Sequence, residues 1–223
     1  RVKGHSLVRS MKILDRGTTR GIIINSGNAN ACVGDEGLDD AQAMAAAVAG
    51  TMGFDPEDIL TGSTGVIGKR LDMNAVLSGV RLATRQLGTY EESGHLAEKA
   101  IMTTDLIAKE GVVRFPIGDQ TVTLAGMAKG SGMIHPNMAT MIGVMTTDAR
   151  ISQPLLQQIL RDVTGQTFNR VSVDGDTSVC DMVIVMANGR SGAPEILPES
   201  AEAALFREAL MSLSTHLSRL IAR

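Results

Sequence analysis

Residues Lys129–Met141 read K-G-S-G-M-I-H-P-N-M-A-T-M. Gly130, Gly132 and Pro136 predict a loop over Lys129–Pro136, and the apolar stretch Met138–Val144 reads as a fully buried strand. Where loop becomes strand, the small residue Ala139 stands directly before Thr140. A backbone N-to-O acyl shift needs the scissile carbonyl held against a hydroxyl in a strained turn. Small, φ-permissive residues bring that geometry within reach. A break between Ala139 and Thr140 would give Thr140 a free α-amine beside its own hydroxyl, so that nucleophile and base sit on one residue. Left uncut, Thr140 is an ordinary strand threonine.

On either side of this stretch, strand and helix signals alternate. Gly21–Asn25 is a short apolar run that reads as a buried strand, and the Gly-, Asn- and Asp-rich Ser26–Leu38 as a loop. From Asp39, Ala41, Met44, Ala45, Val48 and Met52 recur at helical spacing. A second strand over Ile59–Thr61 runs into T-G-S-T-G-V-I-G, Thr61–Gly68, and a helix follows with Leu71, Val76, Leu77, Val80 and Ala83 on one face. A short helix is expected over His95–Met102, and a hairpin from Val112–Phe115 and Gln120–Leu124. Ser152 is placed to cap a helix carrying Leu155, Ile159 and Val163, and Val183–Met186 reads as another strand. Glu199–Arg223 is an amphipathic helix with Ala204, Leu205, Ala209, Leu213, Leu217 and Leu220 expected inward. This interleaving predicts one α/β or layered αββα catalytic-domain segment over residues 1–223. The chain opens Arg1-Val2-Lys3 and closes at Arg223 inside a helical pattern, which is expected of a segment of a longer protein.

Composition narrows the function classes. Aromatic residues make up 2% of the chain, too few for base-stacking surfaces. A net charge of −3 offers no attraction to nucleic acid or anionic membrane. No apolar run approaches the roughly 18 residues of a spanning helix. Cys32 and Cys180 lack paired spacing and read as buried thiols in a reducing cytoplasm.

Other chemistry-bearing residues have an ordinary and a sharper role. Lys129 is either a solvated loop charge or a fixed cation that lowers the pKa of an α-amine or holds a substrate carboxylate. Thr61–Gly68 fails as a phosphate loop, because Gly68-Lys69 is followed by Arg70 and Ser63 stands where the first glycine belongs. It is either a turn before a helix or an anion nest, with the Gly65 N–H and the Thr64 hydroxyl turned to an oxyanion. Asp174-Gly175-Asp176-Thr177 lacks the glycine and terminal Glu of a calcium loop, so turn and capping carboxylates are expected and no metal. His5, His95, His135 and His216 have no ligand spacing.

Five blocks together carry a family resemblance: N-S-G-N-A-N-A-C (Asn25–Cys32), S-T-G-V-I-G (Ser63–Gly68), K-A-I-M-T-T-D (Lys99–Asp105), Lys129–Met141, and F-N-R-V-S-V-D-G-D-T-S (Phe168–Ser178). In this order the chain resembles the arginine-biosynthesis ornithine acetyltransferases, also called bifunctional glutamate N-acetyltransferases. The resemblance implies a layered αββα, N-terminal-nucleophile-like fold, truncated here at both ends. It implies a cytoplasmic precursor that cleaves itself between Ala139 and Thr140, with 1–139 ending the α chain and 140–223 beginning the β chain. The two would form a heterodimer that oligomerises further. Thr140 would then carry the acetyl group from N-acetylornithine to glutamate in two ping-pong half-reactions. By motif position, Thr64 and Gly65 would form the oxyanion hole. Thr140, Lys129 and one of Thr103 and Thr104 would contact substrate, Thr103 being favoured by its distance from Thr140. No cofactor is implied. Bifunctional members also take acetyl from acetyl-CoA, and no residue here decides that point. Family members place a substrate-binding Glu after the helix that ends here as L-S-R-L-I-A-R, with further Asn and hydroxyl ligands beyond it. Val179-Cys180 departs from the more polar residues expected after D-G-D-T-S.

Two other readings use the same residues. A related N-terminal-nucleophile aminopeptidase or amidase would let water resolve the acyl-enzyme. An inactive fragment or scaffold domain would leave Thr140 inert.

Overall fold

The computed structural model describes residues 2–132 and 141–223, so Ala139, Thr140, His135 and the first residues of the expected strand at Met138 lie outside the described residues. The chain divides into two compact units. The first runs to Thr103 and includes Val179–Asp181, and the second comprises Thr104–Ser178 and Met182–Arg223.

The first unit is built on two parallel strands, β1 (Gly21–Asn28) and β2 (Ile59–Val66), paired from Gly21↔Ile59 to Asn28↔Val66. Parallel neighbours need a crossover, and helix α2 (Glu36–Met52) supplies it. α2 ends at Gly53, which takes the left-handed conformation (φ 72°) and returns its N–H to Ala49. Its buried face includes Ala41, Met44, Ala45 and Ala49, and the last two pack with Ile59 of β2. The expected loop from Ser26 is shorter than its composition suggests. β1 continues to Asn28 because β2 pairs with it, and α2 begins at Glu36. The last rungs bring backbone onto backbone: Gly27 (φ 114°) faces Gly65 (φ 127°), and a Cβ at Gly65 would overlap the Gly27 carbonyl.

Helix α1 (His5–Leu14) has no counterpart in the sequence reading. Its buried residues are Ser6, Arg9, Ser10 and Ile13, a mostly polar face that gives no apolar period. The face docks by hydrogen bonds. Ser10 Oγ accepts from the Thr61 N–H at 2.7 Å and donates to the Thr61 carbonyl at 2.7 Å. Arg9 donates to the carbonyls of Ile59 (2.6 Å) and Pro56 (2.7 Å). Burial pushes the Arg9 guanidinium below its ordinary pKa, and Glu57 partly offsets the shift. Two further helices, α3 (Met73–Arg85) and α4 (Glu91–Ile101), complete the unit. Of the expected α3 face only Leu71 and Val80 are buried, and Ala83 is exposed.

The second unit holds a four-stranded sheet in the order β3-β4-β5-β6, from β3 (Glu110–Ile117), β4 (Gln120–Lys129), β5 (Ile142–Thr147) and β6 (Met182–Ala187). β3 and β4 form the expected hairpin, β4 and β5 run antiparallel, and β5 and β6 parallel. Helix α5 (Gln153–Gln166) lies on the crossover from β5 to β6. Ser152 occupies its N-cap position, but its side chain makes no capping bond. Helix α6 (Ala201–Ile221) packs on β3 and β4, and there the cap is made: Ser200 accepts from the Ala203 N–H at 3.1 Å.

The inward face of α6 is turned by about a residue from the one expected. Ala203, Phe206 and Leu210 are buried beside Ala209, Leu213 and Leu217, whereas Ala204 is exposed and Leu205 retains 39% of its surface. Phe206 meets Phe115 of β3 edge-on at 6.1 Å between ring centres, and this contact sets the rotation.

Leu210→Ala should therefore lower unfolding free energy by about 2–5 kcal/mol, and Leu205→Ala by less than about 1 kcal/mol, measured by urea denaturation. Equal losses would refute the assigned face. Gly65→Ala should cost more than about 1 kcal/mol, because both the φ value and the Gly27 carbonyl oppose a side chain.

Candidate active site

The residues expected to carry chemistry fall in both units. Thr64, Gly65 and Thr103 belong to the first, and Thr104 and Lys129 to the second. Thr103 and Thr104 are both exposed, in the bend after α4.

In the first unit, Thr64 is fully buried on β2, opposite Ser26 of β1, and Gly65 follows opposite Gly27. A directed chain of hydrogen bonds holds this end of the strand. Asn30 Nδ2 donates to Ser6 Oγ (3.3 Å), Ser6 and Ser63 share a hydroxyl bond (2.7 Å), and Ser63 Oγ donates to Asn25 Oδ1 (2.6 Å). Because the Ser63 proton is spent on Asn25, Ser6 must be the donor to Ser63. Asn25 Nδ2 closes onto the Asn28 carbonyl at 2.9 Å. The chain ties α1, β1, β2 and the Asn28–Ala31 turn to the residue before Thr64. Fixed donors and dipoles of this kind can stabilise a developing oxyanion without reorganising. Asn25, Asn30 and Ser63 stand in quoted motifs, but Ser6 had no signal beyond its place on a helix that was itself unexpected.

In the second unit Lys129 is not a solvated loop charge. It ends β4, opposite Ile142 of β5, and is 1% exposed. Its ammonium lies 3.9 Å from Oδ2 of Asp105, whose side chain is wholly buried. Oδ1 of Asp105 accepts from Lys109 Nζ at 2.7 Å and from the Gly130 N–H at 2.6 Å. Asp105 and Lys109 were not singled out in the sequence. Asp105 was in view only as the last letter of K-A-I-M-T-T-D, and nothing in the spacing ties it to Lys129, twenty-four residues on. Met141, which follows Thr140, is 1% exposed, and its carbonyl accepts from the Met182 N–H at 3.1 Å.

The remaining candidates have structural surroundings. Asp174 is a turn carboxylate that accepts from the Asp176 N–H at 3.2 Å. Among the described residues no three His, Cys, Asp or Glu side chains gather as a metal site. Both cysteines are free thiols, but only Cys180 is buried, donating to the Ala29 carbonyl at 3.1 Å. Cys32 is exposed, because the turn after β1 gives it φ 57° and directs it outward. Among the described residues no helix is long and apolar enough to cross a membrane.

Comparison with known proteins bears on this arrangement. The chain is 47% identical over 222 residues to the arginine biosynthesis bifunctional protein ArgJ of Symbiobacterium thermophilum. It is 45% identical over 206 residues to that of Bacillus subtilis. It spans about half the length of these curated relatives, 55% and 50% respectively. Among solved structures, ArgJ of Bacillus halodurans is similar with a TM-score of 0.58 and 40% identity, covering 62% of this chain and 72% of that one. The ornithine acetyltransferase of Mycobacterium tuberculosis, solved with ornithine, is similar with a TM-score of 0.55 and 34% identity, covering 61% and 72%. The mixed α/β fold expected from the motifs is the fold of these enzymes. The match to the ArgJ family extends over residues 1–223, so the buried Lys129, the Thr64-Gly65 strand end and the five blocks around them are those of an ArgJ family member.

Proposed function

We propose that this chain is the nucleophile-bearing part of a self-processing acetyltransferase that moves an acetyl group from N-acetylornithine to glutamate in the cytoplasm. One observation carries the reading. β4 ends in a buried lysine registered against Ile142, two residues beyond Thr140, so a buried cation stands where the strand after the scissile bond enters the sheet.

In this mechanism the precursor breaks between Ala139 and Thr140. The freed Thr140 amine takes the proton of its own hydroxyl, and the oxygen attacks the acetyl carbonyl of N-acetylornithine. The Gly65 N–H and the Thr64 hydroxyl receive the developing oxyanion. The proton passes to the departing amine, ornithine leaves, and acetyl-Thr140 remains. The glutamate amine then attacks the ester, and its surplus proton returns through the Thr140 amine. Lys129 and Thr103, or its neighbour Thr104, contact the substrate. The scheme needs no cofactor, and acetyl-CoA would serve only as an alternative acetyl donor. The processed α and β chains stay together as a heterodimer that oligomerises further. The bound ornithine named for the Mycobacterium tuberculosis relative supports the substrate class. The chain lengths support processing: a match covering 62% of this chain accounts for 72% of the solved Bacillus halodurans chain, whereas the whole chain accounts for 55% of a curated relative.

The test uses the complete gene product that carries this chain. Intact mass should show two pieces divided after Ala139, and initial rates should give the parallel double-reciprocal lines of a ping-pong reaction. Thr140→Ala should leave one uncut polypeptide and lower transfer at least about 10³-fold. An uncut wild-type chain with full activity refutes the self-processing scheme. Turnover of the acetyl-enzyme by water as fast as by glutamate makes the protein a hydrolase instead.

A further inference from the structure

Among the described residues of the second unit, the Asp105 carboxylate is a fully enclosed charge that the mechanism leaves unused. Its side chain has no exposed surface, and neither neighbouring ammonium has more than 3%. The groups it gathers come from separate stretches: Lys109 from the segment leading into β3, Lys129 from the last position of β4, and the Gly130 N–H from the first residue beyond that strand. Gly130, with φ 150°, is the first residue past the end of β4, and its N–H meets Asp105. Hydrogen bonds between ionised partners are short and strong, and removing one member of a buried charged set leaves the others penalised. Asp105 also directly follows the exposed pair Thr103-Thr104.

We propose that Asp105 is a positioning residue: one buried carboxylate that holds the Lys129 ammonium, the Lys109 ammonium and the Gly130 N–H, and so fixes both the charge at the end of β4 and the point where the segment toward Thr140 departs. It acts through Lys129, not by touching substrate. The proposal rests on the acetyltransferase reading for its kinetic consequence and on geometry alone for the tether itself.

Two measurements address the tether without activity. In the wild-type gene product the Gly130 amide should exchange at least about 100-fold more slowly than an open-chain amide, although it lies past the end of the ladder. Exchange at the open-chain rate overturns the proposal. In Asp105→Asn the carboxylate that anchors both lysines is gone, and their amines are released to reagent. Trace labelling with propionic anhydride, read by peptide mass spectrometry, should therefore rise about tenfold or more at Lys129 and Lys109, with exposed Lys12 and Lys69 unchanged. Unchanged labelling at both buried lysines in a folded Asp105→Asn protein also overturns it. A variant that fails to fold leaves the wild-type exchange rate to decide.

The kinetic arm tests the route. Asp105→Asn should lower kcat/KM for acetyl transfer about tenfold or more in the wild-type background and by less than about twofold in a Lys129→Met background. Equal losses in both backgrounds would mean that Asp105 does not act through Lys129. A wild-type protein with no acetyl transfer would count against the acetyltransferase reading, and exchange and labelling would still judge the tether.

Discussion

Side chains of α1 close the open edge of β2, with Ser10 at the centre. β1 covers one side of β2, and on the other the Thr61 N–H and carbonyl would face outward as an unpaired rung. Ser10 Oγ satisfies both at once, accepting from one and donating to the other. An unpaired buried amide costs about as much as a lost hydrogen bond, and an open strand edge invites foreign pairing. With Ser10 in place, α1 lies along β2, and one turn earlier its Ser6 reaches Ser63. The order at Thr64 and Gly65 thus descends from a helix held on chiefly by hydroxyl and guanidinium groups, with Ile13 as its buried apolar side chain.

The second unit is assembled differently. Its sheet is covered by α6 through an apolar face in which Phe206, Leu210, Leu213 and Leu217 meet the strands. At one end Asp105, Lys109 and Lys129 share a buried charged cluster at the tip of β4. A buried ion pair is a poor source of net stability, since desolvation consumes most of its Coulomb energy. Its value here lies in direction: an apolar contact could fill the same volume, but it could not fix an ammonium or aim a backbone N–H.

What the sequence disclosed follows from the kind of force that holds each element. Gly21–Asn25 of β1, Ile59–Thr61 of β2, the hairpin as far as Leu124 and the helix over Leu155, Ile159 and Val163 are legible, whereas Thr61–Gly68, which reads as a turn or nest, continues β2 to Val66, and β4 runs on from Leu124 to Lys129. The end of β1 is not legible, because Ser26-Gly27-Asn28 has loop composition and is held extended only by β2. α1 leaves no apolar period, since three of its four buried residues are Ser6, Arg9 and Ser10 and only Ile13 is apolar. α6 is legible as a helix, but leucines on both of its sides leave Leu205 and Leu210 equivalent in the sequence, and the Phe206–Phe115 contact goes with the Leu210 face. At the site, Thr64, Gly65 and Lys129 carried motif signals. Asp105 and Ser6 matter through contacts with residues far along the chain, and such pairing leaves no local pattern. The exposure of Cys32 likewise depends on a positive φ that composition does not announce.

The strand order has a mechanical meaning. β5 lies between β4, which precedes residues 133–140, and β6, which follows them, and α6 from the later part covers β3 and β4 from the earlier part. A break anywhere between them would turn the β4–β5 ladder, Lys129↔Ile142 to Leu124↔Thr147, into a seam between two polypeptides. That seam runs through the middle of a sheet and beneath a shared core. Severed pieces could not drift apart without exposing both, so covalent continuity could be lost with no loss of architecture.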